Sequence, residues 1–181
     1  MTTRAVSAPG VLHRVGALLA DYVRLTKPRV ISLLLVTTLL AMVMAAKGWP
    51  DGRTVVWTMI GGYLSAGGAN AINQWFDRDI DARMRRTSTR PIPAGRIGAT
   101  HALIYAIVIS VASALILGFG ANWVAAGLAM LGLLLYVFLY TLWLKRTTTQ
   151  NIVIGGAAGA VPPLVGWAAV EGSVGLGALL L

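Results

Sequence analysis

The chain has 181 residues, of which 57% are hydrophobic and only 12% are charged, and its mean hydropathy is +0.75. A soluble domain usually carries about a quarter charged residues, so this composition argues against a soluble protein. The chain contains no cysteine, which excludes disulfides and thiolate metal ligands within it. The net charge of +9 does not indicate a nucleic-acid partner, because the basic residues lie in the gaps between long apolar runs.

The first two apolar segments each have about the length that spans a bilayer core, which takes about 20 helical residues. The first covers residues 30–46 and carries no charge. The polar and basic stretch before it is longer than the charged lead of a typical signal peptide, so we expect a helix that stays in the protein. The second segment covers residues 54–76 and is also uncharged.

The next uncharged stretch, residues 97–144, is too long for one crossing and therefore predicts two helices. The glycines and asparagine within residues 118–122 mark the break between them. A fifth segment covers residues 151–170 and contains Pro162 and Pro163, which should end or kink a helix.

A sixth apolar run at residues 174–181 is too short to cross a membrane. We therefore expect five full helices and the start of a sixth, in an all-α membrane protein that represents the front part of a longer one. The predicted organisation is a cytoplasmic N-terminal segment, residues 1–29, followed by an incomplete transmembrane domain, residues 30–181.

The cationic residues are distributed unequally between the two sides of this predicted topology. If the N-terminus is cytoplasmic, thirteen lysines and arginines lie on that side, and only Lys47 and Arg53 lie on the other. Cytoplasmic loops carry such an excess of positive charge, so the pattern favours this orientation. A bacterial plasma membrane is the expected location.

The most informative pattern is a series of polar residues at the end of the second apolar segment. Asn73, Asp77 and Asp81 are spaced four apart, and each step of four rotates by about 40° on a helix, so they share one face. We call these three residues the ladder. Asn70 lies one turn earlier on the same side, whereas Asp79 points away from it.

Like charges stacked at this spacing repel each other, so something should neutralise them. One interpretation is a hard divalent cation such as Mg²⁺, which is held by one or two carboxylates together with substrate phosphates. The alternative is simple pairing with nearby arginines. Guanidinium groups also bind diphosphate, so the arginines that follow the ladder are candidate substrate ligands: Arg83, Arg86, Arg90 and Arg96.

Magnesium and arginine that stabilise a departing diphosphate would allow an allylic substrate to ionise. The resulting carbocation needs a cavity without water, and aromatic faces can stabilise it. Candidate aromatic residues are Trp75, Phe76, Tyr136 and Tyr140, although most aromatics in membrane helices only pack or anchor the helix at the interface.

Three strings resemble the UbiA-type intramembrane prenyltransferases. They are LTKPRVISLLLVTT at residues 25–38, NAINQWFDRDIDARMRRTSTRPIPAGR at residues 70–96 and YTLWLKRTTTQNIVIGGAAGAVPP at residues 140–163. The ladder is similar to the first aspartate-rich motif of that family. The longer strings resemble the branch that farnesylates protoheme IX to haem O.

This resemblance implies a helical bundle around a central cavity, a lipid bilayer as its surroundings, and transfer of a farnesyl group from farnesyl diphosphate to a vinyl group of haem b. It implies that the ladder binds Mg²⁺ and diphosphate, supported by Asn70. It also implies that further cations bind the diphosphate or the haem propionates, namely Lys27, Arg29, Arg90 and Arg96. Partners in the haem pathway of terminal oxidases are a further expectation.

The family has a second aspartate-rich motif in its later half, and this chain ends before it. The chain is therefore expected to hold half of a site. Three other readings stay open at this point: a transporter or channel, a non-catalytic assembly subunit, and a prenyltransferase with another acceptor. His13 and His101 are candidate iron ligands, although a lone histidine near a helix start is more often an interface residue.

Overall fold

The computed structural model describes residues 11–144, 147, 156 and 159–180, and nearly all of them are helical. The helices are α1 Val11–Thr26, α2 Pro28–Ala45, α3 Gly52–Phe76, α4 Arg78–Arg83, α5 Ala99–Gly120, α6 Trp123–Leu134, α7 Val161–Glu171 and α8 Leu176–Leu179. Helix α6 continues directly into a π-helix, Leu135–Leu144. The described residues contain no strand, which confirms the predicted all-α membrane class.

Three helical stretches are long and apolar enough to cross a membrane: Pro28–Ala45, Ala99–Gly120 and Trp123–Trp143. Helix α3 fills the predicted second segment and, with 25 residues, is long enough to cross. It is not among the three apolar helices because glycine, serine and asparagine interrupt its sequence. Instead it is the central helix, in contact with α1, α2, α5, α6, the π-helix and α7.

Small residues let α5 approach α3 closely. A Cβ atom at Gly61 would lie 2.5 Å from the Leu117 side chain, so only glycine permits this contact. The Ser113 hydroxyl donates a 2.6 Å hydrogen bond to the Gly61 carbonyl across the same interface. Close backbone approach at glycine and serine is a common way in which membrane helices associate.

The predicted break between the third and fourth segments is confirmed. Helix α5 ends at Gly120, and Asn122 caps α6 by accepting a 2.9 Å hydrogen bond from the Ala125 backbone N–H. Pro162 and Pro163 lie in the first turn of α7, directly after a turn at Ala160 that separates this helix from the helical residue Gly159. Proline suits this position, since the first helical N–H groups need no partner within the helix. The predicted start of this segment at residue 151 lies outside the described residues.

The described cations separate towards the two ends of the bundle. We call the end that carries the ladder the ladder end. Lys47 and Arg53 lie in or beside the α2–α3 connection, at the opposite end. Nine others lie at the ladder end, beside the α1–α2 junction or between α3 and α5: Arg24, Lys27, Arg29, Arg78, Arg83, Arg85, Arg86, Arg90 and Arg96. Arg4, Lys145 and Arg146 lie outside the described residues.

Candidate functional site

The ladder residues share one buried face, even though a single helix does not carry all three. Helix α3 ends at Phe76, and Asp77 forms the junction with α4. The backbone register nevertheless continues, because the Asp77 N–H donates to the Asn73 carbonyl at 3.0 Å and the Asp81 N–H donates to the Asp77 carbonyl at 2.8 Å. The exposed fractions of the three residues are only 4%, 1% and 4%, whereas Asp79 is exposed.

Asn73 is the centre of the ladder's hydrogen-bond network. Its amide nitrogen donates to Asp77 Oδ2 at 2.9 Å and to the Thr141 hydroxyl at 3.3 Å. Its amide oxygen accepts a 3.2 Å hydrogen bond from Lys27 Nζ. Both ends of the amide therefore have partners. Asn73 orients Asp77 through its nitrogen and binds the Lys27 ammonium group through its oxygen.

Asp81 forms an ion pair with Arg90, which lies in the connection between α4 and α5. Arg90 Nη1 is 2.6 Å from Asp81 Oδ2, and the side chains are 27% and 5% exposed. The buried Thr87 hydroxyl donates to the Asp81 carbonyl at 3.0 Å and so ties the connection to α4. A charge-assisted pair at this distance is stronger than a neutral hydrogen bond, so Arg90 is held facing the ladder.

Lys27 reaches the ladder from an unusual backbone conformation. It caps the start of α2 with φ 57° and ψ 63°, in the left-handed region. The next residue is Pro28, which disfavours a helical conformation in the residue before it. The chain therefore turns at Lys27 between α1 and α2, and this turn directs the ammonium group to Asn73.

Two buried amides connect α3 to the end of α1. Asn70 Nδ2 donates to the Thr26 carbonyl at 3.0 Å, and Gln74 Nε2 donates to the Leu25 carbonyl at 2.7 Å. These carbonyls belong to the last turn of α1, where no further helical N–H is available to them. Asn70 thus supports the site by fixing the α1–α2 junction.

Asp21 links α1 to the connection that carries Arg90. Its carboxylate lies 2.8 Å from Arg96 Nε and 3.1 Å from Arg24 Nη1. The hydrogen bond from Arg96 is the main cause that lowers the pKa of Asp21 below its ordinary value. Asp21 therefore remains ionised and holds Arg96 beside the ladder end.

Four of these cations surround an open basic cavity next to the ladder. The cavity is lined by Arg24, Lys27, Gln74, Thr89, Arg90, Pro91 and Arg96. Arginine and lysine in this number favour an anionic ligand.

Three predicted basic ligands are not held by the ladder. Arg29, Arg83 and Arg86 are exposed and have no hydrogen bond or ion pair with the ladder among the described residues.

An apolar cavity of about 280 Å³ lies between α2, α3, α6, the π-helix and α7. Its lining includes Asn70, one helical turn before Asn73, and also Tyr136, Thr38 and Val165. Residues of both cavities therefore lie beside the ladder: Asn70 for the apolar cavity, and Lys27 and Arg90 for the basic one.

Of the four aromatic candidates, Tyr136 lines the apolar cavity, and Tyr140 stacks on it with ring centroids 5.3 Å apart. Trp75 packs beside the core formed by α1, α3 and α5, and it holds the Arg78 guanidinium 5.0 Å from its ring centroid. His13 and His101 are exposed and line neither cavity.

Several residues of the candidate site were not predicted from the sequence. Thr141 is fully buried and contacts Asn73, but it is 68 positions away along the chain. Its position comes from the π-helix, and such segments often occur at functional sites. Asp21 and Arg24 lie in a segment that the sequence analysis did not predict to be helical. Gln74 did carry a signal, since a buried polar side chain in an apolar segment is costly unless it has a function or a partner.

The donor set can be tested for its fit to a metal ion. Within residues 11–144, 147, 156 and 159–180, no three His, Asp or Glu side chains converge. The ladder offers two carboxylates and one amide oxygen, all of them hard ligands. Magnesium is commonly held by one or two carboxylates plus substrate phosphates and water, so this set fits a cation that binds jointly with a phosphate group.

Comparison with known proteins gives a consistent result. Residues 34–181 match the UbiA prenyltransferase family. The chain is 57% identical to the protoheme IX farnesyltransferase of Chloroflexus aurantiacus over 162 residues, which are 90% of this chain and 28% of that protein. It is 52% identical to the protoheme IX farnesyltransferase of Leifsonia xyli subsp. xyli over 172 residues, which are 95% of this chain and 55% of that protein.

The protoheme IX farnesyltransferase of Thermus thermophilus is 56% identical over 161 residues, which are 89% of this chain and 26% of that protein. The chain therefore spans about a quarter to about half of the length of these relatives. No solved structure matches it.

Proposed function

Because this chain belongs to the UbiA prenyltransferase family, we propose that it carries the diphosphate-binding part of a magnesium-dependent farnesyltransferase. The proposed reaction transfers the farnesyl group of farnesyl diphosphate to a vinyl group of protoheme IX, which gives haem O. The relatives named above are protoheme IX farnesyltransferases, and this supports both the prenyl donor and the haem acceptor.

The observation that carries the proposal is the buried ladder with residues of two different cavities beside it. Lys27 and Arg90, which bind Asn73 and Asp81, line a basic cavity that suits a diphosphate, and Asn70, one turn before Asn73, lines an apolar cavity that suits an isoprenoid chain. A prenyl diphosphate has the same two halves, which supports this class of substrate.

The ladder oxygens are the proposed metal ligands. Bound there, Mg²⁺ would neutralise charge on the diphosphate and make it a better leaving group. Lys27 and Arg90 already lie 3.2 Å and 2.6 Å from ladder oxygens, so they are close enough to take part of the phosphate charge. Arg96, held by Asp21, would extend the cationic surface along the diphosphate.

The apolar cavity performs the second part of the chemistry. When the carbon–oxygen bond of the allylic substrate breaks, the electron pair leaves with the diphosphate and a farnesyl cation remains. Walls such as Leu34, Ala69 and Leu133 keep water from that cation. The Tyr136 ring lines this cavity and would stabilise the positive charge until the terminal vinyl carbon of the haem attacks. The cation then left on the inner vinyl carbon, beside the porphyrin ring, would take up a water molecule and release a proton, which gives the hydroxyl group of haem O.

The test separates binding from transfer. Membranes that contain the chain are given farnesyl diphosphate, protoheme IX and Mg²⁺, and farnesylated haem is measured by mass spectrometry. The full-length Leifsonia xyli relative serves as the positive control, and Asp77→Ala serves as the inactive variant. Binding of radiolabelled farnesyl diphosphate is measured in the same membranes.

Product from the chain but not from Asp77→Ala would support the whole proposal. Magnesium-dependent binding without product would assign the diphosphate half of the reaction to this chain and the remainder to sequence that the relatives possess. If the chain bound no farnesyl diphosphate while the relative formed product, the proposed site would be wrong.

A further inference from the structure

Helix α1 contacts the bundle with only its last residues. Every residue from Val11 to Ala20 is exposed, including Leu12 at 90% and Leu19 at 61%. In contrast Asp21, Leu25 and Thr26 are buried against the connection before α5 and against α3. More than half of this helix therefore has no protein partner among the described residues.

The exposed part of α1 is strongly two-sided. At 100° per residue, its large apolar side chains fall within a sector of about 140°. These residues are Val11, Leu12, Val15, Leu18, Leu19 and Val23, and each is at least 47% exposed. The opposite face carries only small and polar or basic residues, namely His13, Arg14, Ala17, Ala20 and Arg24.

We propose that α1 is an interfacial helix that docks on an anionic phospholipid surface. Its apolar face enters the boundary between headgroups and acyl chains, and its basic face remains among the headgroups. A large apolar face opposite a basic one, with low overall hydrophobicity, is the pattern of helices that lie in the membrane plane. This inference is independent of the proposed enzymatic function.

The lipid surface is favoured as the occupant because the apolar face of α1 joins a surface that already faces lipid. Tyr22 packs edge-to-face against Tyr105 of α5, with ring centroids 4.9 Å apart. Beside Tyr105, Ile104 and Val108 are 55% and 58% exposed on a helix that is apolar enough to span a membrane. Lipid that surrounds α5 therefore reaches α1 without a gap.

Charge complementarity favours anionic lipid over neutral lipid. Arg14 and Arg24 lie on the polar face of α1, and further exposed arginines lie within or after the ladder at the same end of the bundle: Arg78, Arg83, Arg85 and Arg86. Each arginine close to an anionic membrane adds to the attraction of the helix for that surface.

Docking of α1 has a consequence for the basic cavity. Asp21 holds Arg96 at 2.8 Å, and the chain passes from Thr26 directly to Lys27. A helix fixed in the membrane plane therefore fixes the positions of two cations that line this cavity.

The chain contains no cysteine, so single-cysteine variants can be labelled specifically with a nitroxide. Val15→Cys and Leu19→Cys report on the apolar face, and Ala17→Cys and Ala20→Cys are the matched controls on the polar face. The protein is reconstituted in phosphatidylcholine vesicles with or without phosphatidylglycerol. Accessibility of the label to oxygen, which concentrates in acyl chains, is compared with accessibility to a water-soluble nickel chelate.

We expect the two apolar positions to favour oxygen and the two control positions to favour nickel, with the difference at least twofold larger when phosphatidylglycerol is present. Leu12→Ser combined with Val23→Ser should reduce the oxygen preference at position 19, whereas Ala17→Ser should leave it unchanged. Equal nickel accessibility on both faces would show that α1 lies in water. Protection of the apolar positions from both reagents would show that protein covers them, and either result would overturn the proposal.

Discussion

The hydrogen bonds of Asn73 give the three ladder residues different roles. Its amide oxygen accepts from Lys27 and its amide nitrogen donates to Asp77, so a metal at Asn73 would compete with the Lys27 ammonium for that oxygen. Asp77 and Asp81 carry the negative charge that attracts the cation. We therefore expect the two carboxylates to dominate metal affinity, with Asn73 acting largely through the orientation of Asp77.

Asp81→Asn tests this division at a position where the change of volume is minimal. The substitution removes one charge from the proposed metal site and breaks the 2.6 Å ion pair with Arg90. Altering even an indirect partner of a metal ligand typically costs 10- to 100-fold in affinity, so we expect a loss of about 100-fold or more. Binding of Mn²⁺ in the presence of farnesyl diphosphate, followed by electron paramagnetic resonance, measures the loss.

Asp79→Asn is the matched control, since Asp79 lies between the two ladder carboxylates in sequence but is exposed. Its Mn²⁺ affinity should stay within about twofold of the unmodified chain. Equal losses in both variants would indicate that net charge, rather than the buried face, determines binding, and the assignment of Asp81 as a ligand would fall.

Among the helices, Asn122 provides the clearest test of packing because one side chain joins two elements. Its oxygen caps α6 at the Ala125 N–H, and its nitrogen donates to the carbonyls of Ala168 and Ala169 at the end of α7, at 2.8 Å and 3.2 Å. Asn122→Ala removes the cap and both donations, so it should lower the free energy of unfolding by about 1–2 kcal/mol.

Asn122→Asp should recover part of that loss, because a carboxylate still caps the helix but cannot donate to α7. Reversible unfolding in mixed detergent micelles, followed by circular dichroism, compares the three proteins. Identical stability of the alanine and aspartate variants would mean that the cap contributes nothing measurable.

The stability of the contact between α1 and the connection before α5 should depend on pH through the ionisation of Asp21. Because the hydrogen bond from Arg96 lowers the native pKa of Asp21, its contribution to stability is complete above the ordinary aspartate pKa of about 4. The contribution disappears as the pH falls through the lowered native pKa. The stability difference between the unmodified chain and Asp21→Asn, measured by thermal unfolding, should therefore shrink as the pH falls below about 4.

If the difference in stability between these two proteins did not change with pH, the proposed role of the Asp21–Arg96 pair would be contradicted. Arg24→Gln offers a useful comparison, because the Arg24 side chain is 66% exposed and its partner Asp21 lies three residues earlier on the same helix. Exposed pairs of this kind contribute little, so this variant should keep most of the acid dependence.

The helices that consist of long uncharged runs were predicted from the sequence. The uncharged runs gave α2, α3, α5 and α6, and the glycines and asparagine at residues 118–122 gave the turn before α6. Helix α1 was missed because its apolar residues recur at helical spacing between charges and never form a run. Pro162 and Pro163 mark the start of α7, since proline suits the first turn of a helix.

Residue spacing alone predicted the part of the candidate site that follows successive turns of α3 and α4. The four-residue spacing placed Asn73, Asp77 and Asp81 on one face. Lys27 and Arg90 were expected only through the family resemblance, and Thr141 was not predicted, because these partners lie on other segments. No local pattern distinguishes Arg90 from the exposed Arg83 and Arg86, because the selection depends on how the α4–α5 connection folds back on Asp81.

At the scale of the whole molecule, the asymmetry of charge carries a prediction about orientation. The described residues place Lys47 and Arg53 at the end opposite the ladder, together with Glu171, whereas nine cations lie at the ladder end. Membrane proteins retain their positive loops in the cytoplasm, so the ladder and its basic cavity should face the cytoplasm of a bacterial cell. A cytoplasmic ladder would receive a charged diphosphate without moving it across the bilayer.

The absence of cysteine permits a direct measurement of this orientation in cells. Arg85→Cys lies at the ladder end and Ser173→Cys at the opposite end, and both positions are exposed. A membrane-impermeant maleimide should label Ser173→Cys in intact cells but should label Arg85→Cys only after the membrane is permeabilised. The reverse pattern would place the ladder on the outer side of the membrane and would overturn the predicted orientation.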